Sequence, residues 1–97
     1  MIQGVKITKR KQILDERGMI MHMLRRDDKI FKKFGEIYFS LTFPRAIKAW
    51  HLHKRMTLNY AVVFGKIKLV LFDDRKNSKT CGKIQEIYLS TENYNVV

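Results

Sequence analysis

Arg45–Arg75, RAIKAWHLHKRMTLNYAVVFGKIKLVLFDDR, is the stretch whose reading decides the fold. It reads as three consecutive β-strands. The first ends in His51-Leu52-His53, and because side chains alternate across a strand, both imidazoles are expected on one face with Ile47 and Ala49. Two histidines facing one interior suggest a site. The second and third strands are expected to meet at Gly65-Lys66, where a residue without Cβ permits a tight turn. Beyond it, Ile67, Leu69 and Leu71 alternate with Lys66 and Lys68, the pattern of a half-buried sheet. The three together predict one wall of a small β-barrel or sandwich.

Working outward, Gly4–Ile7 reads as a short edge strand, and Asp15-Glu16-Arg17-Gly18 as a turn in which Gly18 is free to take positive φ. Met19–Leu24 is almost continuously apolar and short, which favours a buried strand. Glu36–Phe43 is rich in β-branched and aromatic residues and is stopped by Pro44, which cannot donate to a ladder. After Arg75, the polar loop Lys76–Gly82 leads to a strand over Ile84–Leu89, a turn over Ser90–Tyr94 and the start of a further strand at Asn95. With no helical periodicity and no repeats, the class is all-β with six or seven short strands.

The length of 97 residues limits the chain to a single domain, expected over 1–97, whose core is small enough to gain from a partner subunit. A homo-oligomer is expected. The single cysteine, Cys81, has no internal partner, which fits a reducing cytoplasm, and as a lone thiol among polar loop residues it reads as incidental. No apolar run approaches a membrane span and no signal-peptide core opens the chain, so a soluble, cytoplasmic protein without membrane attachment is expected. Twenty Lys/Arg against nine Asp/Glu give a net charge of +11, which points to phosphate-bearing partners or to a solvated basic surface. The basic pairs are spread along the chain with no dense tract or recognition helix, which argues against nucleic acid.

Histidines at i and i+2 on a strand can hold a metal, serve as general bases near neutral pH, or sit as hydrogen-bonded interior residues. The metal-binding cupin motif places a glutamate seven positions before its closing glycine. Counting back from Gly65, that position is Leu58, so the segment supplies two imidazoles and no carboxylate, and no metal is expected.

Asp15-Glu16-Arg17-Gly18, Lys48-Ala49-Trp50-His51, Val63-Phe64-Gly65-Lys66-Ile67, Asp73-Asp74-Arg75 and the stretch Ser78–Ser90, in this order and spacing, resemble the dTDP-4-dehydrorhamnose 3,5-epimerase family. The resemblance runs from about Gly4 to Val97. It implies a cupin-type jelly-roll barrel, a homodimer, no cofactor and a nucleoside-diphosphate sugar as substrate. It further implies that Arg17 meets the diphosphate, that Lys48 keeps a positive charge at a phosphate-contacting position, and that His51 is the base that removes a proton α to the C4 keto group. Glu36 and Tyr38 fall where the family has a glutamine and an asparagine in contact with substrate. His22 falls at a family glutamate and Leu58 at the lysine facing the oxyanion. The family's tyrosine acid and the aspartate that orients the base correspond to positions beyond Val97, so the barrel is expected to be truncated at its C-terminal side.

A second, shorter resemblance links His51-Leu52-His53-Lys54, with Asp73-Asp74 after the hairpin, to the dTDP-sugar 3,4-ketoisomerases, also cupins. It implies that His53 shuttles protons beside His51. The sequence therefore points to an epimerase- or isomerase-like cupin acting on a dTDP-4-keto-6-deoxyhexose. The alternative is a non-catalytic cupin domain that binds a sugar nucleotide or serves oligomerisation.

Overall fold

The computed structural model describes all 97 residues, and every regular element in it is a strand. These are β1 (Thr8–Lys9), β2 (Gln12–Asp15), β3 (Gly18–Met21), β4 (Lys66–Phe72), β5 (Ile84–Ser90) and β6 (Asn95–Val96). They pair antiparallel as three two-stranded ladders, β1 with β6, β2 with β3, and β4 with β5. The all-β expectation is met. No helix is long and apolar enough to cross a membrane.

The local turn chemistry explains the β2–β3 hairpin. Asp15 pairs with Gly18, leaving Glu16-Arg17 as the connection, and Gly18 adopts φ +149°, a conformation that side-chain-bearing residues rarely take. The Asp15 carboxylate accepts the Arg17 backbone N–H at 2.8 Å, closing the turn on itself.

The alternation read from Ile67 to Leu71 is realised in β4, with β5 as its partner from Lys66↔Ser90 to Phe72↔Ile84. Ile87 and Leu89 turn inward and are buried with Ile2, Tyr94 and Val96, which together form the small core. Lys66, Lys68, Glu86 and Tyr88 lie on the other face, exposed. The strand expected at Asn95 is β6, while the edge strand expected over Gly4–Ile7 begins later, at Thr8, and the strand expected over Met19–Leu24 stops at Met21.

The largest correction concerns Glu36–Phe64. Of the three strands read from Arg45–Arg75, only the third forms. His51–His53 and Met56–Val62 belong to no ladder, and Glu36–Phe43 does not either. Alternation makes a segment competent for a sheet, but a strand exists only with a hydrogen-bonded neighbour, and here that neighbour is missing except at one point. There, Tyr60 and Val97 exchange both backbone hydrogen bonds, at 2.8 and 3.0 Å. A turn at Pro44-Arg45, with Arg45 at φ 67° and Ala46 N–H donating to Phe43 O at 3.0 Å, folds the segment back on itself. The result is an extended arm. The radius of gyration is 14.8 Å, against about 13 Å for a compact chain of this length.

Candidate functional site

Arg17 stands at the tip of the β2–β3 hairpin with its side chain 83% exposed. Its Nη2 donates to Asp15 Oδ2 at 2.9 Å, and the Asp15 carboxyl is held below its ordinary value chiefly by that contact, then by the Arg17 backbone N–H. The hairpin tip thus presents a guanidinium fork, already half-engaged by a carboxylate, to solvent.

The remaining residues expected in the site lie on the arm, and all are exposed: Glu36, Tyr38, Lys48, His51 and His53. The turn at Pro44-Arg45 brings Lys48 back to the first limb. Its Nζ donates to Ser40 Oγ at 2.9 Å and to the Leu41 carbonyl, so the cation is tied two residues from Tyr38. The Tyr60 phenol is pushed up first by partial burial and second by the Tyr38 phenol. The shared face expected for His51 and His53 depended on a strand that does not form, and Arg17 is held by a separate hairpin. Two surface concavities, of about 390 and 500 Å³, are lined by Lys6, Arg10 and Asp28 and by Lys66, Lys68 and Tyr88 respectively, and neither includes a residue of the expected site.

Two polar clusters escaped the sequence reading. Asp73, 3% exposed, accepts Arg75 Nε at 2.8 Å on Oδ1, and Arg75 Nη2 at 2.9 Å, Ser78 Oγ at 2.6 Å and Thr80 Oγ1 at 2.6 Å on Oδ2. Arg75 then reaches the Gln3 carbonyl at 2.7 Å, and Gln3 N–H donates to Thr80 Oγ1 at 2.9 Å, which fastens the N-terminus to the β4–β5 connection. The Arg75 guanidinium, then the Ser78 and Thr80 hydroxyls, hold the Asp73 carboxyl far below the usual carboxylate range. The spacing Asp-x-Arg-x-x-Ser-x-Thr was visible, but only as part of a loop. The second cluster is the two-pronged pair of Arg10 with Asp28, at 3.2 and 2.9 Å, which fastens the Arg25–Ile30 turn to the start of the chain.

The strands and their order define an all-β class of protein, and its cupin type follows from a structural neighbour. The structure superposes on the crystal structure of a dTDP sugar isomerase from Desulfovibrio desulfuricans with a TM-score of 0.87 and 40% sequence identity, over 98% of this chain and 61% of that one. The family described as dTDP-4-dehydrorhamnose 3,5-epimerase matches residues 1–97, and the chain belongs to that family. Among curated relatives it is 33% identical over 93 residues to the spore coat polysaccharide biosynthesis protein SpsL of Bacillus subtilis. It is 28% identical over 98 residues to the probable low-salt glycan biosynthesis epimerase Agl13 of Haloferax volcanii. These matches cover 96% and 99% of this chain but 62% and 63% of the relatives' own lengths.

Proposed function

We propose that this chain carries the proton-abstracting and diphosphate-binding part of a sugar-nucleotide epimerase or isomerase of glycan biosynthesis, acting on a dTDP-4-keto-6-deoxyhexose. The observation that carries this reading is the family match across residues 1–97. A hydrogen on the carbon next to a ketone is acidic enough to be removed by a positioned imidazole, and the electron pair then moves onto the carbonyl oxygen as an enolate. In the proposed step His51 accepts that proton. Return of a proton to the opposite face inverts the carbon, and return at a different carbon isomerises the sugar, with His53 as the shuttle. The carbonyl supplies the electron sink, so the step calls for no cofactor. Arg17 and Lys48 hold the diphosphate, and Tyr38 and Glu36 contact the sugar. A homodimer in the cytoplasm belongs to the same proposal, and sedimentation velocity checks the dimer.

Leu58 favours a second reading. A half-exposed aliphatic side chain occupies the position where the family resemblance sets an oxyanion-facing lysine, and it offers no hydrogen bond to an enolate. On that reading the domain binds the sugar nucleotide without turning it over. Incubation with dTDP-4-keto-6-deoxyglucose in deuterium oxide separates the two. Deuterium entering the sugar with wild type and not with His51→Ala supports proton transfer by His51. Incorporation at equal rates sinks the base assignment, and binding without incorporation leaves the non-catalytic reading.

A further inference from the structure

The face of the β4–β5 ladder turned away from Ile87 and Leu89 carries its own pattern. Lys66 lies across from Ser90 and Lys68 from Tyr88, so two ammonium groups and a phenol ring share that face with Glu86. The Ser90–Tyr94 turn walls one end. Asn93 N–H donates to Ser90 Oγ at 3.0 Å, Thr91 N–H to the Gly65 carbonyl at 3.1 Å and Gln12 Nε2 to Thr91 O at 2.6 Å, which fixes the wall to the ladder. Here lies the concavity of about 500 Å³, with Lys66, Lys68, Tyr88, Ser90, Glu92 and Asn93 in its lining. An added strand joins a ladder at its edge, and a second sheet packs on the apolar face that carries Ile87 and Leu89. The charged face points outward in either case.

The head groups say what fits there. Tyr88 is 65% exposed, an open flat ring with one polar tip. Lys68 pairs loosely with Glu86 at 3.6 Å, whereas Lys66 forms no ion pair and the side chains of Glu92 and Asn93 bond to no other residue. Donors and acceptors thus surround an aromatic ring. A phosphodiester chain calls for donors alone and is repelled by Glu86 and Glu92. An apolar partner surface would strip water from the ammonium and carboxylate groups without replacing it. A sugar brings hydroxyls that both donate and accept and a C–H face that lies on a tyrosine ring, and the free Lys66 ammonium adds a place for an acid group. We infer that the outward face of β4–β5 binds an acidic sugar residue, its ring on Tyr88, its carboxylate or phosphate at Lys66 and its hydroxyls at Glu92 and Asn93. None of these residues belongs to the proposed reaction, and the inference does not rest on that reading.

Amide NMR shifts of the full chain, titrated with trigalacturonate and separately with glucose 6-phosphate, test it. The expected result is saturating shifts at Lys66, Lys68, Tyr88 and Asn93 with at least one of the two, half-complete at about 1 mM and weaker as salt is raised; the sugar that binds tells carboxylate from phosphate. Tyr88→Ala is expected to weaken binding about tenfold and Tyr88→Phe to retain it, while Lys66→Gln weakens it about threefold. Unmoved amide signals of Ile87 and Leu89 show that the ladder is intact in each variant. Equal binding of maltotriose or glucose removes the need for an acid group, and the same shifts with inorganic phosphate alone make the site an adventitious anion contact. Shifts that grow with protein concentration and no sugar make it a contact between copies, and unchanged binding by Tyr88→Ala removes the ring. Each of these overturns the inference, as does the absence of any shift.

Discussion

Asp73 and Arg75 form a two-pronged pair across a two-residue spacing, Nε on one carboxylate oxygen at 2.8 Å and Nη2 on the other at 2.9 Å. Because the same Arg75 reaches Gln3 O, the pair holds the N-terminal residues against the β4–β5 connection.

That pair sets a pH dependence. The folded carboxyl of Asp73 is held well below its ordinary 3.8, so the unfolded chain takes up the proton first as acid is added. The stabilisation is therefore complete above about pH 4 and is lost progressively as pH falls below it. Asp73→Asn is expected to lower Tm at pH 7 by roughly 5–10 °C, since the serine and threonine hydroxyls and the guanidinium lose a shared acceptor. It is also expected to flatten the fall of Tm between about pH 4 and 2. Thermal melts followed by circular dichroism across that range check both. An unchanged acid limb in the variant would show that other carboxylates govern it.

The Arg10–Asp28 pair behaves differently because both side chains are only 16% exposed and Arg10 Nε is buried with no partner. Removing the carboxylate alone strands a guanidinium that already lacks one hydrogen bond. Asp28→Ala is expected to cost roughly 5 °C in Tm, and the double replacement Arg10→Met with Asp28→Leu to cost less than the single change. The check is a double-mutant comparison of melts at low and high salt. Additive losses in the double variant would show that the two residues do not act as a pair.

The difference between the β2–β3 hairpin and the Glu36–Phe64 arm explains what was legible in the sequence. Asp15 and Gly18 close their turn with contacts inside four residues, so the local sequence suffices. The β4 alternation was equally plain, and its partner Ile84–Ser90 lies next in the chain. Ile37, Phe39 and Leu41 alternate just as cleanly, yet periodicity states only which side chains share a face, and this arm has no ladder to fix one. The candidate site inherits that gap. Arg17 stands in the turn that Asp15 and Gly18 predict, whereas the common face of His51 and His53 depends on a strand that does not form. Around Asp73 the local spacing of Arg75, Ser78 and Thr80 is legible, whereas the tie to Gln3 through Arg75 and Thr80 is made by folding across the length of the chain.

Burial separates two kinds of apolar residue along the chain. Leu89 is 1% exposed and sits among the few buried residues, so Leu89→Ala is expected to cost about 2–5 kcal/mol and, in so small a core, to leave the chain largely unfolded at 37 °C. Phe39 is 89% exposed, and Phe39→Ser is expected to leave stability within about 0.5 kcal/mol while raising solubility. Urea denaturation of the two variants beside wild type measures the contrast. A large loss with Phe39→Ser would mean that the arm is packed in solution.

The proposed diphosphate anchor can be tested through the carboxylate that competes for it. Arg17 is engaged by Asp15 at 2.9 Å, and with the guanidinium 83% exposed that pair is worth little by itself. A diphosphate brings more charge and more acceptor oxygens than one carboxylate and takes the fork over. Arg17→Ala is therefore expected to weaken dTDP binding about tenfold, equal to about 1.4 kcal/mol. Arg17→Lys is expected to recover only part of it, since an ammonium keeps the charge but not the two-pronged geometry. Asp15→Asn removes the competing charge but keeps an acceptor for the Arg17 backbone N–H, so binding is expected to tighten a few-fold at low salt, with the gain shrinking as salt screens the site. Isothermal titration at two salt concentrations decides the matter. If Asp15→Asn weakens dTDP binding as much as Arg17→Ala does, Asp15 orients the guanidinium instead of competing for it.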